Sequence, residues 1–292
     1  MILLTGATGS AGCFIADEFV SARAPVRILV RDRSKAAAFE HAPTVEIVDG
    51  DMSRRDSLGA ALDGVERVLM ISSPRMDMVE TQSAFIDACK ASGVRHVVKF
   101  SGLDARSDTT FPFGLMHKAI EEHLERSGLA WTQLRPTGFM QEYLREASSV
   151  IRESALYFPL GEARLNPVDL ADVGKVGFQL LRDGGHEGER LAMTGPEALT
   201  MAEVADRISR ATGRAVRYVP VSRAQRHQAL IGHGIPAEFA DALDLQVGER
   251  LKGGLESRVD LTTHEVFQVE PTSFLTFAKG NAGAFSGAAA AA

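Results

Sequence analysis

Short apolar segments alternate with helical segments through the first half of this 292-residue chain. The apolar segments are rich in Val, Ile and Leu on both faces, which is typical of strands buried in a parallel sheet. Parallel strands need crossover connections, so the helical segments are predicted to cover the faces of that sheet. The predicted strands are Met1–Thr5, Val26–Arg31, Val45–Asp49, Arg67–Ser72, His96–Ser101 and Trp131–Arg135. The predicted helices are Ser10–Ala22, Arg55–Leu62, Val79–Ser92 and Leu115–Arg126.

The alternation changes after about Pro136. We therefore predict an α/β fold, a doubly wound parallel sheet of the Rossmann type with a smaller C-terminal α+β substrate lobe. The Rossmann domain is expected over 1–155 and the lobe mainly over 156–280, with part of 165–195 returning to the sheet. Residues 281–292 are rich in Gly and Ala and are expected to form a flexible tail. Later helices are predicted at Gln141–Ser154, Asp169–Leu181, Ala202–Thr212, Ser222–Ile231 and Pro236–Lys252, and strands at Arg190–Thr194 and Val216–Val221.

The composition excludes several classes of protein. A net charge of −6 argues against a surface that binds nucleic acid. No apolar run reaches the roughly 18–20 residues that cross a membrane as a helix, so no membrane contact is expected. Cys13 and Cys89 are too few for a disulfide framework and lack zinc spacing, so we expect a cytoplasmic protein without a metal site. The sequence leaves open whether the chain forms a homodimer.

The loop after the first strand carries the spacing Gly-x-x-Gly-x-x-Gly, a variant of the dinucleotide-binding fingerprint. Gly6 permits the tight turn out of the strand, Gly9 lets the backbone approach a pyrophosphate, and Gly12 lets the helix pack closely on the sheet. Free N–H groups in the first turn of that helix then face the phosphates. The alternative is an ordinary strand-to-helix turn. The predicted cofactor-binding residues of this loop are Gly6, Thr8, Gly9, Ser10 and Ala11.

The end of the second strand favours NADP over NAD as the cofactor. Enzymes of this architecture that use NAD place an acidic residue at this tip, whereas those that use NADP accommodate the 2′-phosphate with an arginine. Arg31 is the first residue after the apolar run, and Asp32 is expected to point away from it because side chains alternate along a strand. The alternative is a solvated charge run. We therefore predict that NADPH is preferred over NADH.

The third and fourth strands end at the same edge of the predicted sheet. Asp51 is expected to accept a hydrogen bond from the adenine amino group, with Met52 packed on the ring; alternatively, Asp51 caps the helix after Ser53. Ser72 and Ser73 follow the fourth strand at the edge where ligands of open α/β sheets bind. Their small side chains leave room for the ribose and pyrophosphate of the cofactor.

Further motifs narrow the family. They are Lys99-Phe100-Ser101-Gly102, His117-Lys118, Leu134-Arg135-Pro136 and Asn166-Pro167-Val168-Asp169, in addition to the glycine loop. With these residues the chain resembles, over about 1–280, the NmrA-like group of atypical short-chain dehydrogenases/reductases. Within that group it is similar to the NAD(P)H-dependent quinone, azo-dye and triphenylmethane-dye reductases. The resemblance implies hydride transfer from NADPH to a small aromatic or conjugated substrate; other members are redox-sensing regulators that bind NADP without turning it over.

The usual proton donor of short-chain dehydrogenases is missing from this sequence. Its motif is Tyr-x-x-x-Lys, but none of the three tyrosines has lysine at that spacing, and Gly114 stands four residues before Lys118. Ordinary ketone reduction would therefore lose its acid. Quinones, azo bonds, cationic dyes and activated C=C or C=N bonds accept hydride with little acid help. For these acceptors, positioning over the nicotinamide is expected to dominate catalysis.

Three residues near the fifth strand are the predicted catalytic groups. Lys118 is expected to bind the nicotinamide ribose or to donate a proton. The alternative is a solvated lysine that pairs with Glu121 or Glu122 at helical spacing. Ser101, at the tip of the strand, is expected to contact the cofactor and to assist catalysis, and His117 is a second candidate proton donor.

Loops at the nicotinamide end are predicted to complete the site. Pro136 follows the sixth strand and is expected to border the nicotinamide through backbone contacts. Aromatic and sulfur-containing side chains around the same loops are expected to wall a flat substrate pocket, although each alone is typical of a core position. These side chains are Phe113, Phe139, Met140 and Tyr143.

Overall fold

A parallel sheet forms the centre of the structure, a computed structural model in which residues 1–287 are described. Most of its strands are four or five residues long, as expected for strands buried between helices. In chain order, the strands of the described residues are β1 (Ile2–Thr5), β2 (Val26–Val30), β3 (Val45–Asp49), β4 (Arg67–Met70), β5 (His96–Phe100), β6 (Ala130–Pro136), β7 (Ala155–Phe158), β8 (Glu189–Met193) and β9 (Arg217–Pro220).

Seven of these strands form the large sheet, in the order β3-β2-β1-β4-β5-β6-β8, and all their pairings are parallel. The chain runs outward from β1 to β3 and then continues from β4 on the other side of β1. This reversal creates a switch point between β1 and β4, where open α/β sheets bind ligands at the carboxyl ends of their strands. The predicted fold class, a doubly wound Rossmann sheet with a smaller C-terminal lobe, is confirmed.

Helices connect the strands and cover both faces of the large sheet. None of those described is long and apolar enough to cross a membrane. They are α1 (Gly12–Ser21), α2 (Gly59–Leu62), α3 (Met78–Ala91), α4 (Pro112–Arg126), α5 (Ala147–Glu153), α6 (Leu170–Asp183), α7 (Met201–Thr212), α8 (Arg223–Gly232), α9 (Ala237–Leu251), α10 (Thr262–Val266), α11 (Phe274–Gly280) and α12 (Ala282–Ser286). Shorter 3₁₀ helices occupy Arg33–Phe39, Arg55–Ser57, Met140–Glu146 and Leu255–Ser257.

Alternation along each strand sends neighbouring side chains to opposite faces of the sheet. Leu4 and Ile28 pack with α1 and α6 on one face, whereas Leu3 and Val97 pack with α3 and α4 on the other. Helices α1, α3 and α4 each follow a strand directly, so they begin at the carboxyl edge of the sheet. The loops and helix N-termini that can bind a ligand therefore converge on this one edge.

The smaller lobe has its own core. Strands β7 and β9 pair in parallel as a second sheet beside α7. A capping box opens α7, because the Glu203 N–H donates to Thr200 Oγ1 at 3.2 Å and the Glu203 carboxylate accepts from the Thr200 N–H at 2.8 Å. Phe274 and Phe285 are buried in the same core.

The structure differs from the sequence predictions at several places in this lobe, and α11, for example, was not predicted. The segment predicted as one helix, Gln141–Ser154, is divided into a 3₁₀ helix and α5, and α5 ends where Ser154 adopts a left-handed φ of 52°. Strand β7 follows at once and was not predicted. The prediction of a flexible tail over 281–292 is wrong for the part that forms α12, because Phe285 of this helix is buried in the lobe core. Residues 288–292 lie outside the described residues.

Candidate active site at the carboxyl edge of the sheet

The glycine loop between β1 and α1 forms a backbone cradle. Gly6 has a left-handed φ of 64°, and its carbonyl accepts the Gly9 N–H at 2.9 Å. A Cβ on Gly12 would lie 2.2 Å from the Gly6 oxygen, so a larger residue would force the loop open. Helix α1 has no side chain capping its N-terminus, and Ser10 beside it is exposed. The Cys13 N–H donates to the Gly9 carbonyl at 3.1 Å, and the other N–H groups at this helix start are available to an anion.

Thr5, at the end of β1, holds this cradle against β4. Its hydroxyl accepts the Ile71 N–H at 2.8 Å and donates to the Ile71 carbonyl at 2.7 Å. A Cβ on Gly6 would lie 3.0 Å from that same carbonyl oxygen. The sequence analysis did not single out Thr5, although a buried threonine directly before a glycine loop is a signal that it joins neighbouring strands.

The charged residues after β2 differ in whether their side chains have a hydrogen-bond partner. Asp32 accepts the Ser34 N–H at 3.0 Å and its hydroxyl at 2.6 Å, and these bonds lower the pKa of the Asp32 carboxyl. Arg33 Nε donates to Asp49 at 2.8 Å. Arg31 is exposed and has no hydrogen bond or ion pair within residues 1–287. The acidic residue is thus used to cap a 3₁₀ helix, and Arg31 stays without a side-chain partner among the described residues.

Asp51, at the end of β3, makes the local contacts expected of a capping residue. Its carboxylate accepts the Ser53 N–H at 2.9 Å and the Ser53 hydroxyl at 2.8 Å. Met52 is buried in the core shared with α3. The capping alternative therefore holds for Asp51, and an additional contact with adenine stays a prediction.

The serines after β4 lie at the switch point. Ser73 is exposed, whereas Ser72 is half-buried and its hydroxyl accepts the side-chain amide of Gln82 at 2.8 Å. The carbonyl oxygen of Gln82 is buried without a partner among the described residues. Gln82 on α3 was missed by the sequence analysis, and it fixes the Ser72 side chain that was predicted to face the cofactor.

A buried ion pair joins α4 to β6 at the other end of this edge. Glu121 is fully buried and accepts Arg135 Nε at 2.9 Å, while a second guanidinium nitrogen binds its other oxygen. The Ser101 hydroxyl donates to the same carboxylate at 2.6 Å. Ser101 is therefore occupied by Glu121 on α4, which is a positioning contact, and its predicted role toward the cofactor stays a prediction.

Lys99 and His117 lie beside this ion pair. Lys99 Nζ lies 2.9 Å from His117 Nδ1 and donates to the Phe100 carbonyl at 3.1 Å. Burial lowers the pKa of the Lys99 ammonium to about 7. Burial and then the charge of Lys99 lower the pKa of His117 well below its ordinary value. Lys99 was quoted only as part of a family motif, although a lysine inside an apolar strand was a signal.

Lys118 faces away from this pair. Its ammonium pairs with Glu122 one turn later on α4, and its side chain is 29% exposed. This is the surface pairing that the sequence analysis left as the alternative to a cofactor role. Contact of Lys118 with the nicotinamide ribose stays a prediction.

The four side chains predicted to wall the substrate pocket do not come together. Phe113 is buried against Phe239 in the core beneath α4, with ring centroids 5.2 Å apart. Met140 and Tyr143 are buried in the core of the smaller lobe. Phe139 is half-buried and lies nearest the edge, 6.2 Å from Phe100 between ring centroids. The apolar character of the first three residues serves packing instead.

Charged groups of the smaller lobe close the β5–β6 end. Arg250 on α9 pairs with Glu256 at 2.6 Å, and a Cβ on Gly138 would lie 3.1 Å from its guanidinium. Burial, and then the charge of Glu256, raises the pKa of Asp104 to about 6. Pro136 is buried just before this point, and its carbonyl accepts the Leu103 N–H at 3.0 Å.

One further surface feature lies outside this edge. A surface hollow of about 330 Å³ is lined by Glu18 of α1 and Gln179 of α6, at the end of α1 away from the glycine loop. Among the described residues, no three His, Cys, Asp or Glu side chains are arranged to hold a metal ion.

Known proteins resemble this chain along its whole length. The profile of the NmrA-like family matches residues 1–278. An NAD(P)H azoreductase from Xenophilus azovorans is 36% identical over 292 residues, which cover 99% of this chain and 100% of that protein. The NADPH-dependent quinone oxidoreductase QOR2 from Escherichia coli, solved with NADPH, has a TM-score of 0.85 at 26% identity and covers 96% of this chain and 99% of its own. Triphenylmethane reductase from Citrobacter sp. shares the fold, with a TM-score of 0.85 at 22% identity. The match covers 97% of this chain and 100% of that protein.

Proposed function

Because the chain belongs to the NmrA-like family, we propose that it is an NAD(P)H-dependent oxidoreductase that reduces a flat, electron-poor organic acceptor. NADPH, when bound, supplies a hydride from its nicotinamide ring. The acceptor is a quinone, an azo compound, a cationic dye or an activated C=C or C=N bond. The full-length likeness to an NAD(P)H azoreductase supports the class of reaction.

The observation that carries the proposal is the backbone cradle at the N-terminus of α1. A Cβ on Gly12 would strike the Gly6 carbonyl at 2.2 Å, so this loop is shaped by glycine rather than filled by side chains. Its uncapped helix N-terminus suits a pyrophosphate. Arg31 stands exposed and unpaired within the described residues at the neighbouring strand end, where it would hold the 2′-phosphate of NADPH.

The choice of acceptor rests on the location of the tyrosines. Tyr143 is buried in the core of the smaller lobe. The hydroxyl of Tyr157 donates to Glu153 at 2.6 Å, and that of Tyr218 donates to the Phe158 carbonyl at 2.9 Å. No phenol is therefore offered to a substrate oxygen beside β5. Acceptors that are already electron-poor do not need a phenol, because orienting them over the nicotinamide offsets roughly 7–11 kcal/mol of the barrier, to which proton transfer from another group adds a smaller contribution.

A panel of acceptors tests the proposal. The purified protein is mixed with NADPH and with quinones, azo dyes or a cationic triphenylmethane dye, and the absorbance of the reduced nicotinamide is followed. Turnover of at least one of these classes supports an oxidoreductase. Tight binding of oxidised cofactor without turnover of any acceptor would contradict it and would favour the redox-sensing type of NmrA-like protein.

A further inference from the structure

Lys99 is a buried lysine that forms no ion pair. It is 0% exposed at the end of β5, and within the described residues no carboxylate oxygen lies within 4.0 Å of Nζ. Its two partners are neutral, the Phe100 carbonyl at 3.1 Å and His117 Nδ1 at 2.9 Å. Burial of a charge without a counter-ion is costly, so the strand would be more stable with an apolar residue here.

The nearest carboxylate is already engaged elsewhere. Glu121 of α4 binds Arg135 of β6 and the Ser101 hydroxyl. Glu121 and Arg135 are the charged groups that act on Lys99, and His117 is its neutral titratable neighbour. Strand β4 presents Met70 in register with Lys99. Burial lowers the pKa of Lys99 to about 7, so its proton is easily released near neutral pH.

The contact with Lys99 fixes the tautomer of His117. A protonated lysine only donates, so Nδ1 accepts and the neutral imidazole carries its proton on Nε2. Nε2 has no partner within residues 1–287 and is not sealed from solvent. A Cβ on Gly102 would lie 3.7 Å from Cδ2 of the same ring, so the free edge of the imidazole lies beside the loop after β5. This loop is part of the carboxyl edge that contains the proposed site.

We propose that Lys99 and His117 form a proton relay that leads from the buried ammonium through the imidazole to the acceptor at the carboxyl edge of the sheet. The relay rests on the proposed function, because it completes a reduction that begins with hydride transfer. His117 would contact the acceptor and is the catalytic residue of the pair. Lys99 acts only through His117 and is its positioning residue and proton source.

The relay balances the reduction of a quinone or an azo bond. Hydride addition breaks a C–H bond of the reduced nicotinamide and leaves an electron pair on an oxygen or nitrogen of the acceptor. That atom takes the proton from His117 Nε2, while Lys99 Nζ gives a proton to Nδ1. The imidazole stays neutral with its proton now on Nδ1, and Lys99 becomes a neutral amine. After the product leaves, a solvent proton enters at Nε2 and the Nδ1 proton returns to Lys99.

A cationic triphenylmethane dye needs no such proton, because hydride addition at its central carbon gives the neutral product directly. The two acceptor classes therefore separate a proton relay from a structural role. Removal of the relay should slow quinone and azo reduction but leave dye reduction almost unchanged. Damage to the fold or to cofactor binding would slow both.

The experiment compares Lys99→Met, which keeps much of the apolar volume, with His117→Gln, which keeps a donor but cannot relay a proton. We expect each variant to lose roughly 100-fold in kcat/KM with a naphthoquinone and less than about threefold with the cationic dye. The double variant should lose no more than either single one. Lys90→Met, which alters an exposed lysine of α3, is the matched control and should retain both activities.

A second readout does not depend on turnover. Nitrogen NMR of the imidazole, without cofactor, should find His117 neutral with its proton on Nε2 in the wild type. In Lys99→Met the opposing charge is gone, so the pKa of His117 should rise and the preference for this tautomer should fall. An unchanged tautomer and pKa in Lys99→Met would overturn the relay.

The kinetic outcomes are equally decisive. Equal losses with quinone and dye in both variants, or unchanged quinone reduction in either, would overturn the relay while leaving the proposed function intact. A wild-type protein that binds NADPH but reduces neither acceptor would overturn the proposed function, and the relay with it. If Lys99→Met does not fold, His117→Gln alone decides between these results, because its side chain is only half-buried.

Discussion

The two ends of the carboxyl edge are built from different groups. Near β1 and β2 the surface presents backbone N–H groups and some exposed side chains, such as those of Ser10 and Arg31, that have no partner within residues 1–287. Near β5 and β6, charged side chains are buried and bind one another, with Glu121 held between Ser101 and Arg135. Exposed groups therefore dominate the first end, whereas buried hydrogen bonds and an ion pair organise the second.

Because of this difference, we expect the first end to determine cofactor binding and the second end to determine the chemical step. Under the proposed function, exposed groups at the first end would bind phosphates with little reorganisation, and their contribution is expected to appear in cofactor affinity. Buried groups at the second end lie in a low-dielectric environment, where each charge or dipole has a larger effect on its neighbours. Substitutions at the two ends should therefore change different quantities, and four predictions test that separation.

The largest effect is expected for the stability of the β5–β6 end. Glu121→Ala leaves Arg135 without its partner in a buried setting, which should lower the free energy of unfolding by about 3–5 kcal/mol. Glu122→Ala is the matched control in the same helix, because Glu122 pairs with Lys118 at the surface and its removal should change the free energy of unfolding little. Urea unfolding of both variants measures the difference. Similar losses would contradict the distinction between a buried and a surface pair.

The next largest effect is expected at the cradle. In Gly12→Ala the new Cβ would lie 2.2 Å from the Gly6 oxygen, so the loop must shift away from its anion-binding shape. Overpacking of this kind costs about 1–3 kcal/mol, and because this cost falls on the anion-binding shape of the loop, NADPH should bind about 5- to 150-fold more weakly. Fluorescence titration measures the dissociation constant. Gly59→Ala, where a Cβ would meet nothing within 4 Å, should bind NADPH as the wild type does.

Arg31→Ala should change the choice between cofactors. The loss of a charge-assisted hydrogen bond to the 2′-phosphate costs about 1.5–3 kcal/mol, so NADPH should lose about 10- to 150-fold in affinity while NADH is almost unaffected. Arg33→Ala is the control, because Arg33 is engaged by Asp49 and should affect both cofactors equally. An equal loss for NADPH and NADH in Arg31→Ala would remove Arg31 from the phosphate site.

The smallest effect is expected for Lys118→Ala. Its ammonium belongs to a surface pair with Glu122, so stability should change by less than about 0.5 kcal/mol and NADPH affinity by less than about twofold. Calorimetric titration and urea unfolding measure both quantities. A tenfold or greater loss of NADPH affinity would restore the cofactor role that the sequence predicted for Lys118, and would mean that the cofactor displaces Glu122.

The two ends also differ in how well they can be predicted from the sequence. The cradle and Arg31 are local features. Each is recognised from a short stretch of sequence, either the glycine spacing after β1 or the charged residues directly after β2. The fold class follows from the same local alternation. These parts of the prediction need no knowledge of distant contacts.

The β5–β6 end is assembled from distant parts of the chain. Lys99 meets His117 from 18 residues away, and Ser101 meets Glu121 from 20 residues away. No spacing rule connects such positions. The sequence analysis therefore named Lys118 as the first candidate and its neighbour His117, which contacts Lys99 of β5, only as the second. Likewise, the sequence alone does not show whether a phenylalanine such as Phe113 lies in the core or lines a pocket. Only the three-dimensional packing distinguishes the two positions.

The most direct test of the whole account follows the hydrogen atom. NADPH that carries deuterium on C4 of the nicotinamide is oxidised by the wild-type protein with a cationic triphenylmethane dye, and the colourless product is weighed by mass spectrometry. If the edge of the sheet holds both molecules for direct transfer, one of the two C4 stereoisomers of labelled NADPH places one deuterium on the central carbon. Turnover without deuterium in the product from either stereoisomer, or no turnover with this dye and with every quinone and azo acceptor, would contradict the account.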